Sequence, residues 1–539
     1  LTSLILTGGK VWARPGTPSE GPRTPTAVAV ADGRFVAVGS DSEIERLAGR
    51  STVKIRLQGR RVVPGFIDSH THFVAGGFGL AGVQLRDAAT PAEFARRIGN
   101  QAAKSPKEWI LGGTWDHELW GGELPRRDWI DPLTPGTPVF VSRLDAHMAL
   151  ANGRALDLAG VTPETPDPAG GAIVRYPDGR PSGVLKDAAQ GLVERVIPPP
   201  SEGARDRALQ AAMRLAVAHG VTLIADMGSW DDLATYRRAL ARRELTIRAY
   251  AVVPIATWRQ LAEFVAREGW GDRRLFWGGV KGFVDGSLGS TTAWFYEPYS
   301  DAPETCGLTV ADPNELRRDI MRADAAQLQV IVHAIGDRAN DWLLDVYRDA
   351  GVYTPMRDRR MRVEHAQHLT PAAMRRFAEL GVVASMQPYH AIDDGRWAER
   401  RLGRPRMGGT YAFRSLLDAG ARLAFGSDWT VAPLDPLSGI YAAVTRRTID
   451  GANPGGWCAE QRITVEEALT AYTVGGAYAN GQERVLGTIE PGKHADLVVL
   501  SADICAIDPA LIGEVKVDMT MVEGQIVYQR GTGIGTAGR

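Results

Sequence analysis

Apolar and polar positions follow two different rhythms along this chain, and the rhythm changes twice. Near the start the apolar runs are short and strand-like. Leu4-Ile5-Leu6 precedes Gly8-Gly9, Ala27-Val28-Ala29-Val30 precedes Asp32-Gly33, and Phe35-Val36-Ala37-Val38 follows. An Asp-Gly pair between two such runs signals a hairpin, because both residues tolerate the left-handed backbone of a tight turn. The tail returns to this rhythm over residues 495–500 and 519–528, with a Glu523-Gly524 turn inside the second run. Short strands at both ends predict one small sheet domain made from residues 1–61 and 482–539.

Between them the pattern alternates helical periods with short apolar runs. Helices are expected over residues 205–218, 231–242, 313–327 and 371–380, and Thr464 with Glu467 forms a capping box opening a helix to about Ala479. Strands are expected over 220–226, 279–285, 330–333, 362–365, 382–387 and 423–428. Repeated βα units of this kind favour an α/β barrel or an open α/β sheet over residues 62–481. Residues from about 74 to 200 are rich in Gly, Pro and Trp and fit the repeat poorly. They read as an insertion able to cover the mouth of a barrel.

The stretch from Val62 through Pro64, Gly65 and Phe66 to His72 reads as a buried strand ending in His70-Thr71-His72. Side chains alternate along a strand, so two histidines one residue apart share a face and point toward one ion. Two solvated loop histidines would be the alternative if this pair stood alone. It does not. Expected strands also end in His333, His365 and Asp428, and one carries Lys281. Imidazole and carboxylate donors suit zinc, and less often manganese or iron. A lysine amid Gly279, Val280, Gly282 and Phe283 would be desolvated, which favours the neutral amine able to form a metal-bridging carbamate. Snorkelling, or pairing with Asp285, is the competing reading for Lys281.

Composition narrows the classes. A chain of 539 residues with 44% hydrophobic and 23% charged residues is that of a globular protein larger than one ordinary core. A net charge of −1 gives no reason to expect nucleic acid or an anionic membrane as partner. Cys306, Cys458 and Cys505 form no C-x-x-C pair, which argues against a disulfide framework or thiolate zinc site. No apolar run reaches the ~18 residues of a membrane span. A cytoplasmic location is expected, with a removed leader left open because the sequence starts at Leu1. No G-x-S-x-G or helix-opening G-x-G-x-x-G occurs, and the Gly487-to-Lys493 spacing is followed by His494 rather than Ser or Thr.

The order His-x-His, Lys, His, His, Asp resembles the amidohydrolase superfamily. Val280-Lys281-Gly282-Phe283-Val284-Asp285-Gly286-Ser287, His333-Ala334-Ile335-Gly336-Asp337-Arg338 and Glu364-His365-Ala366-Gln367 are similar to its amidohydrolase-3 branch, which includes YtcJ-like proteins and N-substituted formamide deformylase. The resemblance implies a (β/α)8 TIM-like barrel with a composite β-sandwich. It also implies hydrolysis, usually of a C–N bond, with one or two Zn2+ ions (Mn2+ or Fe2+ as substitutes). Carried over by position, His70 and His72 would bind one metal and His333 and His365 a second. Lys281 would bridge as a carbamate, and Asp428 would be ligand and general base. Metal-bound hydroxide would then attack an amide or N-substituted formamide.

Asp145-Ala146-His147 in the insertion resembles a motif of the same branch, and His147 is either a donor to the developing oxyanion or a structural histidine. Trp115 in the insertion, and Trp294, Tyr389, His390 and Trp429 after barrel strands, are candidate pocket residues, implying a small substrate with an apolar or aromatic part. A mononuclear deaminase with unmodified Lys281, an ester or other C–X hydrolase, and a non-catalytic binding protein are the alternatives. The last is disfavoured because all six ligand positions hold competent residues. A homo-oligomer is left open.

Overall fold

The structure, a computed structural model, describes residues 2–17, 24–354, 356–531 and 536–537. Its centre is a sheet of eight parallel strands neighbouring one another in chain order: Phe66–Thr71, Val221–Met227, Arg248–Pro254, Leu275–Phe283, Gln329–Ala334, Arg362–His365, Val383–Met386 and Arg422–Phe425. Nearly every residue in these strands is buried, as expected when helices cover one face and a packed interior the other. The eighth and first strands meet just past the end of the eighth. There the Asp428 amide donates to the His70 carbonyl and the His72 amide to the Trp429 carbonyl, both at 2.7 Å. Asp68 adds a strap, its Oδ1 accepting from the amides of His70 at 3.2 Å and Ser427 at 2.9 Å. The sheet is thus a closed TIM-like barrel.

Local sequence explains the surrounding helices. Glu202–Ala218 starts on the Ser201 hydroxyl, Trp230–Ala241 on a Ser229/Asp232 capping box, and Pro313–Ala325 on the Asp312 carboxylate. Pro371–Leu380 starts on Thr370 and stops at Gly381 in left-handed backbone.

Three expectations need correction. The apolar stretch before His70 is two strands, because Arg61–Pro64 pairs with Leu497–Leu500 in another sheet and the barrel begins only at Phe66. Gly65 makes the switch, and a Cβ there would lie 2.2 Å from the Thr222 hydroxyl. The third barrel strand, Arg248–Pro254, was not anticipated. The helix opened by Thr464 is interrupted by one widened π-turn at Ala471–Gly475.

Two five-stranded sheets come from the chain ends. One holds Leu4–Thr7, Ala27–Ala31, Arg34–Gly39, Val53–Arg56 and Thr536–Ala537; the other holds Lys10–Val11, Arg61–Pro64, Leu497–Leu500, Val517–Val522 and Gln525–Gln529. Leu6, Val28, Leu57, Val62, Leu497 and Met519 share one buried cluster between them. The Asp32-Gly33 and Glu523-Gly524 hairpin turns both carry positive φ at both residues. A six-stranded sheet between Val83 and Asp187 forms the insertion. Among the described residues, no helix is long and apolar enough to cross a membrane.

Candidate functional site

Four imidazoles, one amine and one carboxylate converge where the barrel strands end. His70 is buried near the end of the first strand. Its Nδ1 lies 2.5 Å from Glu364 Oε2, so Nδ1 carries the proton and Nε2 is the free acceptor. His365 Nδ1 donates to Gln387 Oε1 at 2.8 Å, again leaving Nε2. His333 is turned the other way, its Nε2 donating to the Gly286 carbonyl at 2.9 Å and leaving Nδ1. Its ring centroid stands 4.5 Å from that of His365. Burial keeps these imidazoles neutral, lowering His70 to about 4 and holding His333 and His365 well below the ordinary range. Neutral imidazole is the metal-binding form.

Asp428 lies three residues past the last strand's final residue, Phe425, in left-handed backbone. Burial works against its charge, but His70, His72 and His365 outweigh that and hold it well below the carboxylate range. Its Oδ1 sits 3.4 Å from Nε2 of both His70 and His72. It is buried with no hydrogen-bond partner. Two donors bound to one tetrahedral zinc at its usual bond lengths are separated by about 3.3 Å. The spacing and the orphaned oxygen therefore fit a divalent cation. Among the described residues, two metal-capable groups share this carboxylate: His70 with His72, and His365 with His390.

Lys281 is buried, with Nζ 3.3 Å from His70 Nε2, and burial lowers it to about 8. The considered pairing with Asp285 does not form. Asp285 instead accepts from the amides of Trp294, Ile335 and Gly336 at 2.7, 3.0 and 2.8 Å.

The insertion reaches this end of the barrel. Arg143, Asp145 and His147 from it line one cavity together with His333, His365, His390, Asp394, Trp397 and Asp428. His147 Nδ1 lies 2.7 Å from Asp187 Oδ1, and its ring is 5.0 Å from that of His333. Burial opposes the charge of His147, yet the Asp187 carboxylate raises it above its ordinary value.

The aromatic candidates sit elsewhere. Trp115 is fully buried in the insertion's core, its indole N–H donating to the Val141 carbonyl at 2.7 Å. Trp429 packs edge-on against Phe73. Trp294 lies beneath the Arg338 guanidinium, 4.4 Å from its ring centroid. Tyr389 lies among Asp393, Arg86 and Arg396 and is part-buried. Residue type alone does not separate a core aromatic from a cavity aromatic. The partners Glu364, Gln387 and Asp187 carried no local signal, since each acts across strands or from another sheet.

A family model described as the amidohydrolase family matches residues 55–528. Protein LONG AFTER FAR-RED 3 of Arabidopsis thaliana is 41% identical over 522 residues, covering 93% of this chain and 88% of its own length. Putative amidohydrolase YtcJ of Bacillus subtilis is 33% identical, covering 95% of this chain and 97% of its own. N-substituted formamide deformylase of Arthrobacter pascens is 29% identical, covering 94% and 95%. Among solved structures, an uncharacterized metal-dependent hydrolase from Pyrococcus horikoshii matches with TM-score 0.76 and 27% identity, over 94% of this chain and 99% of that one.

Proposed function

This chain belongs to the amidohydrolase family, and on that premise we propose that it is a metal-dependent hydrolase cleaving the C–N bond of a small amide or N-substituted formamide. The observation that carries the reading is the orphaned Asp428 Oδ1, equidistant from Nε2 of His70 and His72. A zinc-type cation held there supplies Lewis acidity, lowering the pKa of water toward ~7 and polarising a carbonyl.

The chain's own groups do the rest. Asp428, ionised and beside the imidazoles, takes the proton of the attacking water and returns it to the leaving nitrogen. His147, held by Asp187 as a proton-bearing donor, faces the cavity from the insertion and hydrogen-bonds the oxygen on which charge develops. Lys281, lowered to about 8, is neutral often enough near neutrality to add carbon dioxide and, on losing a proton, to become a carbamate that could serve as a further anionic metal ligand. The insertion limits access to bulk water, which strengthens each of these interactions. The mixed lining, with Asp394 and Arg143 beside Leu288 and Trp397, suits a small substrate bearing both polar and apolar portions.

Replacing Asp428 with Asn tests the assignment on a panel of N-substituted formamides and N-acyl amines. Turnover should fall by about 10²- to 10⁴-fold, the usual worth of a positioned acid–base group, with the fold retained. Near-normal rates would remove Asp428 from this role.

A further inference from the structure

The six-residue pattern read from the sequence gives His390 no place at the metal centre, yet the structure does. The seventh barrel strand ends at Met386, and helix Pro388–Asp394 starts at once, with Gln387 at its N-cap and Pro388 pre-set for the first turn. That short segment does two things toward the same neighbour. Gln387 fixes Nδ1 of His365, and His390 sets its ring nearly parallel to the His365 ring, at 14° and 6.3 Å between centroids. His390 is only 9% exposed and lines the cavity. Its Nε2 is buried without a hydrogen-bond partner, as is Oδ1 of Asp428. Donor atoms of His365, His390 and Asp428 lie within 4.8 Å of one another.

A buried imidazole nitrogen and a buried carboxylate oxygen left unpaired in one such cluster are costly, since each has given up water for nothing. A cation between them removes both costs.

We propose that His390 is a metal-ligating residue. With His365 and Asp428 it forms a second cation position beside the His70–His72–Asp428 group, the carboxylate being shared between the two. Two imidazoles and one carboxylate suit a borderline divalent cation of the zinc type and leave further coordination positions open toward the cavity. The inference rests on the metal-dependent reading above and adds a ligand that reading does not require.

The test uses the full chain, stripped of metal and titrated with Co2+, followed by elemental analysis after dialysis and by the visible spectrum of the bound ion. Wild-type protein should take up two equivalents, as paired hydrolytic sites do. His390→Ala should retain one of them, lose affinity for the other by about tenfold or more, and change the visible spectrum. His390→Gln, which keeps bulk and a polar end, guards against a folding defect, and the melting temperature of the metal-free proteins verifies this. Unchanged stoichiometry, affinity and spectrum in both variants would overturn the proposal even if activity fell, placing His390 against substrate instead. A single equivalent in the wild type would overturn the second position and leave the hydrolase reading intact. No binding by the wild type would overturn both.

Discussion

An imidazole serves a cation better when its second nitrogen is held, because that bond fixes tautomer and ring angle. Here the holders are Glu364 for His70, Gln387 for His365 and the Gly286 carbonyl for His333. Glu364 has the most at stake. It is fully buried between His70 and Arg362, and although burial pushes it up, the guanidinium and the imidazole lower it to about 2 from 4.5. A carboxyl depressed in the folded state adds stability that is present above about pH 4.5 and is lost as pH falls toward 2. Glu364→Gln should therefore weaken metal affinity by ~10- to 100-fold in a cobalt or zinc titration. In urea unfolding its deficit against wild type should be largest near neutrality and narrow in acid. A constant deficit across that range would contradict the charge argument. His70, His72, His333, His365 and Asp428 were legible as candidates because each is a ligand type placed where a strand runs out, and Lys281 because it is a lysine within an apolar strand. Glu364 was not, because it reaches a partner 294 residues away whose identity only strand register reveals.

Elements declared themselves where local chemistry and burial agree. Caps at Ser201, Ser229, Asp312 and Thr370 sit where Ser, Asp and Thr precede an amphipathic run. Arg248–Pro254 stayed hidden because it opens on an arginine, a residue normally at the surface, and closes on a proline. That arginine is 1% exposed, answered by acids from the far end of the chain. The π-turn at Ala471–Gly475 lies against the eighth barrel strand: a Cβ on Gly475 would lie 2.1 Å from the Leu423 carbonyl. Backbone against backbone has no flexible atom to give way. Gly475→Ala should cost about 1–3 kcal/mol or more, the range for overpacking, and lower the melting temperature. An unchanged melting curve would show that the helix floats free of the eighth strand.

At the scale of the molecule, the barrel and the sheets from the chain ends are joined by a buried ionic contact. Arg248 pairs with Asp496 through Nε at 2.7 Å and a second nitrogen at 3.0 Å, and reaches Glu523 at 3.3 Å. Arg248→Ala would strand Asp496 in a site only 4% exposed, so a loss of ~3–5 kcal/mol is expected in denaturant unfolding. A loss below 1 kcal/mol, on the order of a surface pair, would mean that water reaches the interface. The strand-like rhythm of both chain ends was readable, whereas their meeting against the third barrel strand was not, because nothing local in Arg248 names its partners. The seam of the barrel has one more consequence. Every other junction between neighbouring barrel strands is a paired ladder, two of them with a shift of register, but the last is made by the backbones of His70, His72, Asp428 and Trp429. The side chains that would grip a cation thus stand on opposite ends of a bracelet, and whatever they hold is its clasp. Loading the protein and fastening the barrel become the same act, so an empty chain should open first where it would otherwise work.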